Sequence, residues 1–383
     1  MTNILFIRAA SQNIGGIEKQ ILLIAREFGS RKLFNPILAT SDKFSEFGKR
    51  FERLGFSVYE LPMGKDDGLN RGAEAIELIL KKHNVALIQS HMFRESLIGR
   101  LVRRKHPEIR HIFRAHTYID CSWIPRWRKL AYHILDKLTS RYVDRYVCIS
   151  QNAFKEISEF SWISKSKISL ITDGVEKIGE PDQPESNLTL PLPPQVAMVS
   201  NLIPHKGHDV LFRALWLLKQ KGLRVCARLI GGELTGGNKK GFTPFTDNLK
   251  QEASRMGILD QIDFYGYTQN IYEALKGFST LVLPSDSEGI PNCILEGLCL
   301  RKLAIASSVG GVPEIIRHRV NGLLHPPRDA HALAAILEEV FTTPAKIWES
   351  IRDAGYKTWK DRFSVDQMIE GLTRIYKEMD ILQ

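Results

Sequence analysis

The sequence lacks the cysteine pattern of a disulfide scaffold, a zinc site or a redox couple. Its 383 residues include five cysteines, which is an odd number, and none of them form the closely spaced pairs that such sites use. We therefore expect reduced thiols that are mostly buried. The five are Cys121, Cys148, Cys226, Cys293 and Cys299.

Long apolar runs are also missing. No stretch reaches the roughly 18 consecutive apolar residues of a membrane-spanning helix. The opening run from Ile4 to Ile7 has only the length of a strand, and no small-residue cleavage site follows it, so no secretory signal is expected. We expect a cytoplasmic protein that meets a membrane, if at all, at its surface. With 43% hydrophobic residues, the chain can bury two domain cores.

Positive charge is concentrated in the first half of the chain. The net charge is +10, and residues 1–175 alone carry 29 Lys and Arg against 18 Asp and Glu. Within that half, the segment 91–146 holds roughly +8 and interleaves basic residues with tryptophans and aliphatics. This pattern fits a segment that lies on an anionic membrane, and it fits equally a solvated helix whose apolar side is buried in the core. Nucleic acid is not expected, because no binding motif accompanies the charge.

Strand-length apolar runs alternate with amphipathic helical stretches along the chain, and a proline-rich stretch interrupts them once. This rhythm predicts an α/β fold with two Rossmann-like, doubly wound domains that face each other across a cleft. The prolines cannot lie in helices or central strands, so they mark a linker. The predicted parts are an N-terminal domain at 1–178, the linker at 179–194, a C-terminal domain at 195–362 and a terminal helix at 363–383 that packs back on the first domain.

The strongest motif follows the predicted strand from Thr280 to Leu283. Here a glycine turn leads into a helix opened by Pro291, which would direct free backbone N–H groups and the positive end of the helix at an anion such as a diphosphate. Glu288 precedes the helix and Glu296 lies inside it, so that the two carboxylates can accept hydrogen bonds from different hydroxyls of one ligand.

Two further turns follow the first strand of each domain. Lys206, with Gly207 after it, would add a full positive charge to the same anion site. Gly15 and Gly16 permit close approach of a phosphate or an acceptor to the first domain. The dinucleotide fingerprint G-x-G-x-x-G and a Walker lysine are both absent.

Taken in order, these motifs resemble family 4 of the retaining glycosyltransferases, which have the GT-B fold of two Rossmann domains. The resemblance covers nearly the whole chain. It rests on Gly15-Gly16-Ile17-Glu18, His116, Lys206-Gly207, Gly231-Gly232-Glu233, Glu288 with Glu296 eight positions later, and Gly310-Gly311-Val312-Pro313-Glu314.

The resemblance implies a role for each matching position. Lys206 would hold the donor diphosphate, Glu296 the ribose and Glu288 the transferred sugar. His116 would contact the sugar ring, which gives Glu288, His116 and Lys206 as the catalytic candidates. The donor-binding candidates are Gly15, Gly16, Asn201, Lys206, Gly231, Glu288, Gly289, Ile290, Pro291, Asn292 and Glu296.

One position departs from the family pattern. Asn201 stands where such enzymes usually carry an arginine, and an amide supplies neither a positive charge nor a bidentate fork. The resemblance further implies retention of anomeric configuration without a metal or another cofactor, with the departing phosphate taking the acceptor's proton. The triplet Asp286-Ser287-Glu288 looks superficially like a metal-binding motif, but a hard cation would compete with Lys206 for the same oxygens.

The expected reaction moves a sugar from a nucleotide-diphosphate donor, most often a UDP-sugar in this family, to a glycan or lipid-linked acceptor in surface polysaccharide biosynthesis. Three other classes remain open. A nicotinamide oxidoreductase would need the missing glycine fingerprint and leaves the paired glutamates without a task. A sugar-nucleotide epimerase would release free sugar. An inactive binding protein would keep the cleft and lose the chemistry, a direction to which only Asn201 points.

Overall fold

The structure, a computed structural model, describes residues 2–10, 14–64, 67–116, 126–160, 162–180, 194–233 and 245–382. Its strands are β1 (Thr2–Ile7), β2 (Phe34–Thr40), β3 (Ser57–Glu60), β4 (Val85–His91), β5 (Arg110–Ala115), β6 (Arg145–Cys148), β7 (Ile168–Leu170), β8 (Gln195–Val199), β9 (Cys226–Ile230), β10 (Ile262–Gly266), β11 (Thr280–Leu283), β12 (Leu303–Ser307) and β13 (Leu323–His325).

The helices are α1 (Gly16–Ser30), α2 (Glu46–Arg53), α3 (Leu69–Lys82), α4 (Phe93–Lys105), α5 (Arg126–Thr139), α6 (Gln151–Ser158), α7 (His208–Gln220), α8 (Phe245–Arg255), α9 (Ile271–Leu275), α10 (Asn292–Cys299), α11 (Val312–Ile315), α12 (Ala330–Thr342), α13 (Glu349–Arg362) and α14 (Val365–Glu378).

The chain divides into two compact units. Unit 1 comprises Met1–Gly174 together with Val365–Gln383, and unit 2 comprises Val175–Ser364. Unit 1 therefore ends its first segment four residues before the predicted boundary at 178 and includes the terminal helix. Residues 181–193 of the predicted linker lie outside the described residues.

Unit 1 is built on a seven-stranded parallel sheet in the order β3-β2-β1-β4-β5-β6-β7. The apolar run of β1 is buried and lies between β2 and β4, with Leu5 beside both Ile37 and Ile88. Such continuous apolar strands are typical of parallel sheets covered on both faces.

Helix α14 completes the core of unit 1. Its apolar residues recur at helical spacing and bury Leu372, Ile375 and Tyr376. The ring of Tyr376 packs against Phe28 of α1 and Phe34 of β2, with centroids 5.5 and 5.4 Å away. The last helix of the chain is thus part of the first unit.

Unit 2 has a six-stranded parallel sheet in the order β10-β9-β8-β11-β12-β13. In both units the strand order reverses at the first strand: the next strands in sequence lie on one side of it and the later strands on the other. Thus β1 lies between β2 and β4, and β8 lies between β9 and β11. Open parallel sheets bind ligands at the carboxyl ends of the strands beside such a reversal. The predicted doubly wound α/β class is confirmed for both units.

Candidate functional site

Lys206 and Glu288 meet at the carboxyl edge of the sheet in unit 2. Lys206 lies in the turn after β8 and Glu288 in the loop after β11, and these strands are neighbours. The Lys206 Nζ atom lies 2.7 Å from Glu288 Oε1, and the two side chains are only 19% and 9% exposed. The strand order therefore brings together two candidates that are 82 positions apart in the sequence.

The two loops that carry these side chains are joined through their backbones. The Asp286 N–H donates to the His205 carbonyl oxygen at 2.9 Å. Gly207 has a φ of +75°, and a Cβ atom there would collide with the Pro284 carbonyl oxygen. Only glycine allows this backbone conformation and this close approach without strain.

Gly310 and Gly311 contact the backbone of Glu288. Gly310 has a φ of +50°, and a Cβ atom on it would collide with the Glu288 carbonyl oxygen, while the Gly311 N–H donates to the same oxygen at 3.3 Å. This glycine pair, which is part of the family resemblance, thus fixes the backbone position of Glu288.

The helix predicted after Glu288 is present as α10. Pro291 is its N-cap and is buried, as is Ile290, so the segment from Gly289 onward is held against the unit. Glu296 lies within α10 and is 6% exposed. These predicted donor-binding residues therefore lie on one continuous loop and helix at the carboxyl edge of the sheet.

Asn201 and Gly231 also lie at this edge. Gly231 follows β9 with a φ of +153°, and a Cβ atom there would collide with the Ser200 carbonyl oxygen. Because Ser200 N–H donates to Ile230 and Leu202 N–H to Gly232, the segment around Asn201 is bound along the end of β9. The structure places every predicted donor-binding residue of unit 2 at the same edge.

Burial and Lys206 together keep the nearby histidines neutral. Burial lowers the pKa of His208 to about 4, with a further contribution from the charge of Lys206. The pKa of His205 is lowered by the same two causes, although Glu288 and Asp286 act in the opposite direction. At neutral pH the positive charge of this edge therefore resides on Lys206 rather than on the histidines.

Both carboxylates of the triplet 286–288 face cations of the protein. Glu288 pairs with Lys206, and Asp286 pairs with Arg328. Among the described residues, no group of three or more His, Cys, Asp and Glu side chains is arranged to hold a metal ion. The triplet thus contributes its carboxylates to ion pairs.

In unit 1, the Gly15–Gly16 turn is held by a buried carboxylate. The Glu18 side chain accepts a hydrogen bond from Gly15 N–H at 3.0 Å and pairs with Arg8 at 2.8 Å. Arg8 also contacts Glu95, at 3.3 Å. Sequence reasoning missed Arg8 and Glu95, because Glu95 reaches Arg8, the partner of Glu18, only once β1 and β4 lie side by side.

His116 lies directly after β5, where it was predicted, and belongs to a buried polar cluster. Its Nε2 atom lies 3.0 Å from Nδ1 of His91, at the end of the neighbouring strand β4. Its Nδ1 atom lies 3.5 Å from Asp173, which pairs with Arg114 at 2.7 Å. Sequence reasoning did not identify His91, Arg114 or Asp173; the only available signal was their position at strand ends.

The basic segment 91–146 is more internally paired than its charge suggests. Arg100 is 1% exposed and bonds to the buried Asp136, and Arg103 pairs with Asp144. Arg94 donates to backbone carbonyls in the loop 63–67. These arginines are therefore engaged within the protein, and the membrane contact of the segment stays a prediction.

Helix α5, within the same segment, exposes its apolar face. Asp136 anchors the inner side of the helix, and large apolar side chains lie on the outer side. The alternative in which the apolar side is buried in the core holds for Tyr132, which packs against the core of unit 1, but not for the outer side chains. Trp123 and Pro125 lie outside the described residues. The exposed apolar residues are Trp127, Leu130, Ile134, Leu135 and Leu138.

No helix in the described parts of the chain combines the length and the apolarity that crossing a membrane requires. The apolar face of α5 belongs to a helix of 14 residues that also carries several basic side chains.

Two protein-family models match the chain, and together they span most of it. "Glycosyltransferase Family 4" matches residues 14–177, and "Glycosyl transferases group 1" matches residues 180–358. The amylovoran biosynthesis glycosyltransferase AmsK of Erwinia amylovora is 31% identical over 154 residues, 38% of this chain and 35% of AmsK.

Full-length similarity extends to further proteins. An uncharacterized glycosyltransferase of Methanocaldococcus jannaschii is 24% identical over 332 residues, which cover 86% of this chain and 83% of that protein. The crystal structure of Anabaena HepE in complex with UDP-glucose has a TM-score of 0.83 at 19% identity, covering 99% of this chain and 100% of HepE. At that identity the structural likeness speaks for the fold alone.

Proposed function

This chain belongs to the family 4 glycosyltransferases of the GT-B fold, and we propose that it transfers a sugar from a UDP-sugar to a glycan or lipid-linked acceptor with retention of anomeric configuration. The observation that carries the proposal is the pairing of Lys206 with Glu288 at the carboxyl edge of unit 2, 2.7 Å apart and mostly buried. A cation and a carboxylate at one point can bind the two halves of a nucleotide sugar, the diphosphate and the sugar hydroxyls.

In this proposal, Lys206 stabilises the leaving nucleoside diphosphate. Negative charge develops on the phosphate as the glycosidic bond breaks, and a preorganised cation next to it lowers the barrier. The neutral states of His205 and His208 support this role, because they leave Lys206 as the positive group beside Glu288.

Glu288 accepts hydrogen bonds from the transferred sugar, and Glu296 accepts them from the ribose. The backbone from Gly289 to Asn292 lies along the phosphates, and Asn201 and Gly231 complete the donor site. From unit 1, Gly16 is assigned to the diphosphate and His116 to the sugar, as the family resemblance implies. No metal or other cofactor takes part, since both carboxylates of the triplet 286–288 already face basic side chains.

Uridine is proposed as the donor base because HepE, which has the same fold, binds UDP-glucose. A role in surface polysaccharide synthesis follows from AmsK, which is named for the biosynthesis of amylovoran. A sugar-nucleotide epimerase and an inactive binding protein are the alternatives, and both would share the donor site.

A thermal-shift screen against UDP, GDP and ADP, each free and as its glucose conjugate, tests the donor. A ligand that binds only the folded state raises the free energy of unfolding, by about 2.7 kcal/mol at 100 times its Kd, and therefore raises the Tm. We expect UDP and UDP-glucose to raise it most. A shift with GDP or ADP alone would replace uridine, and no shift with any nucleotide would contradict the donor site.

Product analysis then separates the transferase from its rivals. With donor and acceptor present, the transferase forms a glycoside whose anomeric configuration is that of the donor, which NMR of the product reads directly. An epimerase would release free sugar without an acceptor, and a binding protein would leave the donor intact. An inverted product would contradict retention.

We propose further that the exposed face of α5 binds the anionic inner surface of a membrane and so holds the enzyme in the cytoplasm beside its lipid-linked acceptor. Trp127, Leu130, Ile134 and Leu138 repeat at spacings of three and four, which places them on one stripe. Arg128 and Lys137 are exposed on the same helix and complement acidic headgroups.

Flotation with liposomes of phosphatidylglycerol or of phosphatidylcholine tests this face. The protein should float with the acidic liposomes at low salt and remain behind at high salt or with neutral lipid. The double variant W127S/I134S should lose flotation, whereas L78S, which removes an exposed leucine of α3 in the same unit, should keep it. Equal binding by W127S/I134S would contradict the proposal, as would self-association of the wild type through this face without lipid.

A further inference from the structure

A chain of buried hydrogen bonds leads from the C-terminal helix to His116. Tyr376 of α14 contacts the side-chain oxygen of Gln89, and the Gln89 Nε2 atom lies 3.1 Å from Nε2 of His91. His91 in turn lies 3.0 Å from His116. The two imidazole rings are tilted by 28° with centroids 5.2 Å apart, a separation that fits rings joined edge to edge by this hydrogen bond.

The far end of the chain is a buried ion pair. Asp173 accepts from Arg114 through Oδ1 at 2.7 Å, and its Oδ2 faces Nδ1 of His116 at 3.5 Å. Burial alone would raise the pKa of Asp173, but the interactions of its carboxylate with His116 and Arg114 outweigh burial, and the pKa is lowered. Asp173 is therefore an ionised carboxylate, which can only accept hydrogen bonds.

Burial also fixes the charge state of His91, in the middle of this series of hydrogen bonds. His91 is fully buried, which lowers its pKa well below the usual value, and the nearby charges of Arg114 and Arg8 act in the same direction. Gln89 and Tyr376 are fully buried as well. A neutral imidazole has one N–H donor and one acceptor nitrogen, so each link of the chain constrains the next.

If both imidazole rings are neutral, Asp173 allows only one direction of hydrogen-bond donation from residue to residue. The carboxylate requires the proton of His116 on Nδ1, which leaves Nε2 of His116 as an acceptor. His91 must then donate from Nδ1, so that its own Nε2 accepts from the amide N–H of Gln89.

The hydroxyl of Tyr376, at the other end, favours the same direction of hydrogen-bond donation. The Gln89 oxygen can only accept, so the tyrosine hydroxyl donates to it, and this orients the Gln89 amide N–H toward His91. Reversing the amide would give the donating nitrogen to Tyr376 and would require protons on both nitrogens of His116. The reversed state would make His116 a cation beside Asp173, and the buried Tyr376 hydroxyl would lose the oxygen to which it donates, so Tyr376 favours the neutral ring.

We propose that Tyr376 is a positioning residue of the transfer reaction, which acts through Gln89 and His91 to hold His116 as a neutral ring with its proton on Nδ1. Both ring nitrogens of His116 are then engaged within unit 1, so His116 supplies a fixed surface for the sugar and does not transfer a proton. The inference rests on the proposed function, because it takes His116 as the residue that contacts the sugar.

NMR of protein labelled with ¹⁵N-histidine tests the proton positions without any donor. Ring nitrogens with and without a proton resonate far apart, and His91 and His116 are assigned from the single variants H91Q and H116Q. We expect both rings to carry the proton on Nδ1 in the wild type. In Y376F the Gln89 amide loses the group that orients it and can reverse, so the ¹⁵N signals of His91 should shift toward protonated Nε2 and those of His116 toward protons on both nitrogens.

Kinetics test the link to the reaction. Y376F removes only a hydroxyl, and its ring can still pack against Phe28 and Phe34. We expect kcat to fall on the order of 10-fold or more, because small displacements of a positioned group cost this much. The Tm shift caused by UDP should stay unchanged, since none of the residues assigned to the nucleotide belongs to the hydrogen bonds around His116. In a Q89L background, adding Y376F should produce no further loss of kcat.

Y59F is the matched control. Tyr59 in β3 also bonds to a histidine, His83, at 2.6 Å in the same unit, but no contact in the described structure links that pair to His116. Y59F should therefore leave kcat and the ¹⁵N signals of His91 and His116 unchanged.

Three results would overturn the proposal: wild-type proton positions in Y376F, a changed tautomer with unchanged kcat, or additive losses in Q89L and Y376F. Failure of the proposed function looks different. Wild-type protein that transfers no sugar from any tested donor would contradict the transferase assignment, while the ¹⁵N spectra would still report whether the chain of hydrogen bonds fixes His116.

Discussion

The ammonium of Lys206 and the carboxylate of Glu288 form a mostly buried ion pair, with Nζ 2.7 Å from Oε1. In the proposed reaction the two groups bind different parts of the donor. A diphosphate that approaches Lys206 must therefore share or replace the contact with Glu288. Glu288 binds the sugar but competes with the phosphate for Lys206. Removing Glu288 should therefore lower kcat without lowering the affinity for UDP.

We predict that Glu288→Ala nearly abolishes sugar transfer while the affinity for UDP stays equal or increases. The variant loses the acceptor for the sugar hydroxyls and frees Lys206 for the phosphates. A loss of about 100-fold or more in kcat is expected for a group that acts at the reacting sugar. Calorimetric titration with UDP and turnover assays measure the two effects. Wild-type turnover in this variant would overturn the site assignment.

Lys206→Ala should instead weaken UDP binding by on the order of 10- to 100-fold, the range expected for one charge-assisted hydrogen bond. Lys221→Ala is the matched control, because Lys221 pairs with Glu338 on the exposed surface of the same unit. The control should bind UDP as the wild type does. Equal affinities for Lys206→Ala and wild type would remove Lys206 from the donor site.

Gly310→Ala is predicted to reduce turnover by displacing Glu288. A Cβ atom at this position collides with the Glu288 carbonyl oxygen, and the backbone must move to relieve the contact. Gly222→Ala controls for the cost of positive φ alone, about 1–2 kcal/mol, because Gly222 has a φ of +82° and no neighbour within reach of a Cβ atom. Both variants should lower the Tm, but only Gly310→Ala should lower kcat. Equal turnover in the two would show that Gly310 does not position Glu288.

Activity is predicted to persist in excess chelator. Asp286 and Glu288 are neutralised by Arg328 and Lys206, and a divalent cation would have to displace both bases to bind the triplet. Initial rates measured with and without EDTA, after dialysis against the chelator, should agree within error. A loss of rate that returns on adding Mg²⁺ or Mn²⁺ would show that the reaction uses a metal.

Acidification below neutral pH should destabilise unit 1 through His111. Burial, aided by the charge of Arg100, lowers the pKa of this histidine from 6.5 to about 3. Between these values the unfolded chain binds a proton that the folded chain does not. The contribution of His111 to stability is thus complete above pH 6.5 and is lost progressively as the pH falls toward 3.

Denaturant unfolding at several pH values between 7 and 4 measures this effect. One such group gives a slope of up to about 1.4 kcal/mol per pH unit. His111→Gln should reduce the slope, whereas His331→Gln, at an exposed position of α12, should not. An identical slope in His111→Gln and wild type would contradict the assignment.

The sequence predicted the doubly wound fold because parallel strands buried on both faces are continuous apolar runs, which stand out between helices. It missed β7, whose three residues Ile168–Leu170 follow a basic stretch and are too short to form a pattern. The donor-site residues of unit 2 were predicted as a group because they lie in segments that follow strands of one sheet, so that local motifs and strand order lead to the same edge.

The polar chain around His116 could not be predicted in this way. Gln89 and His91 lie in β4, but Asp173 and Tyr376 come from distant parts of the sequence, and Tyr376 is 287 positions from its partner Gln89. Nothing local marks a buried glutamine or tyrosine as part of a network. For the same reason the charge of the basic segment was misjudged at Arg100, whose partner Asp136 neutralises it only after α4 and α5 have packed.

The position of α14 has a consequence for how the protein is made. Unit 1 needs Leu372, Ile375 and Tyr376 to close its core, yet these residues follow the whole of unit 2 along the chain. During translation, unit 2 can emerge from the ribosome and fold as a contiguous segment while unit 1, although synthesised first, still exposes the apolar surface around Phe28 and Phe34. Nascent unit 1 therefore cannot complete its core until the final helix of the described structure has been synthesised.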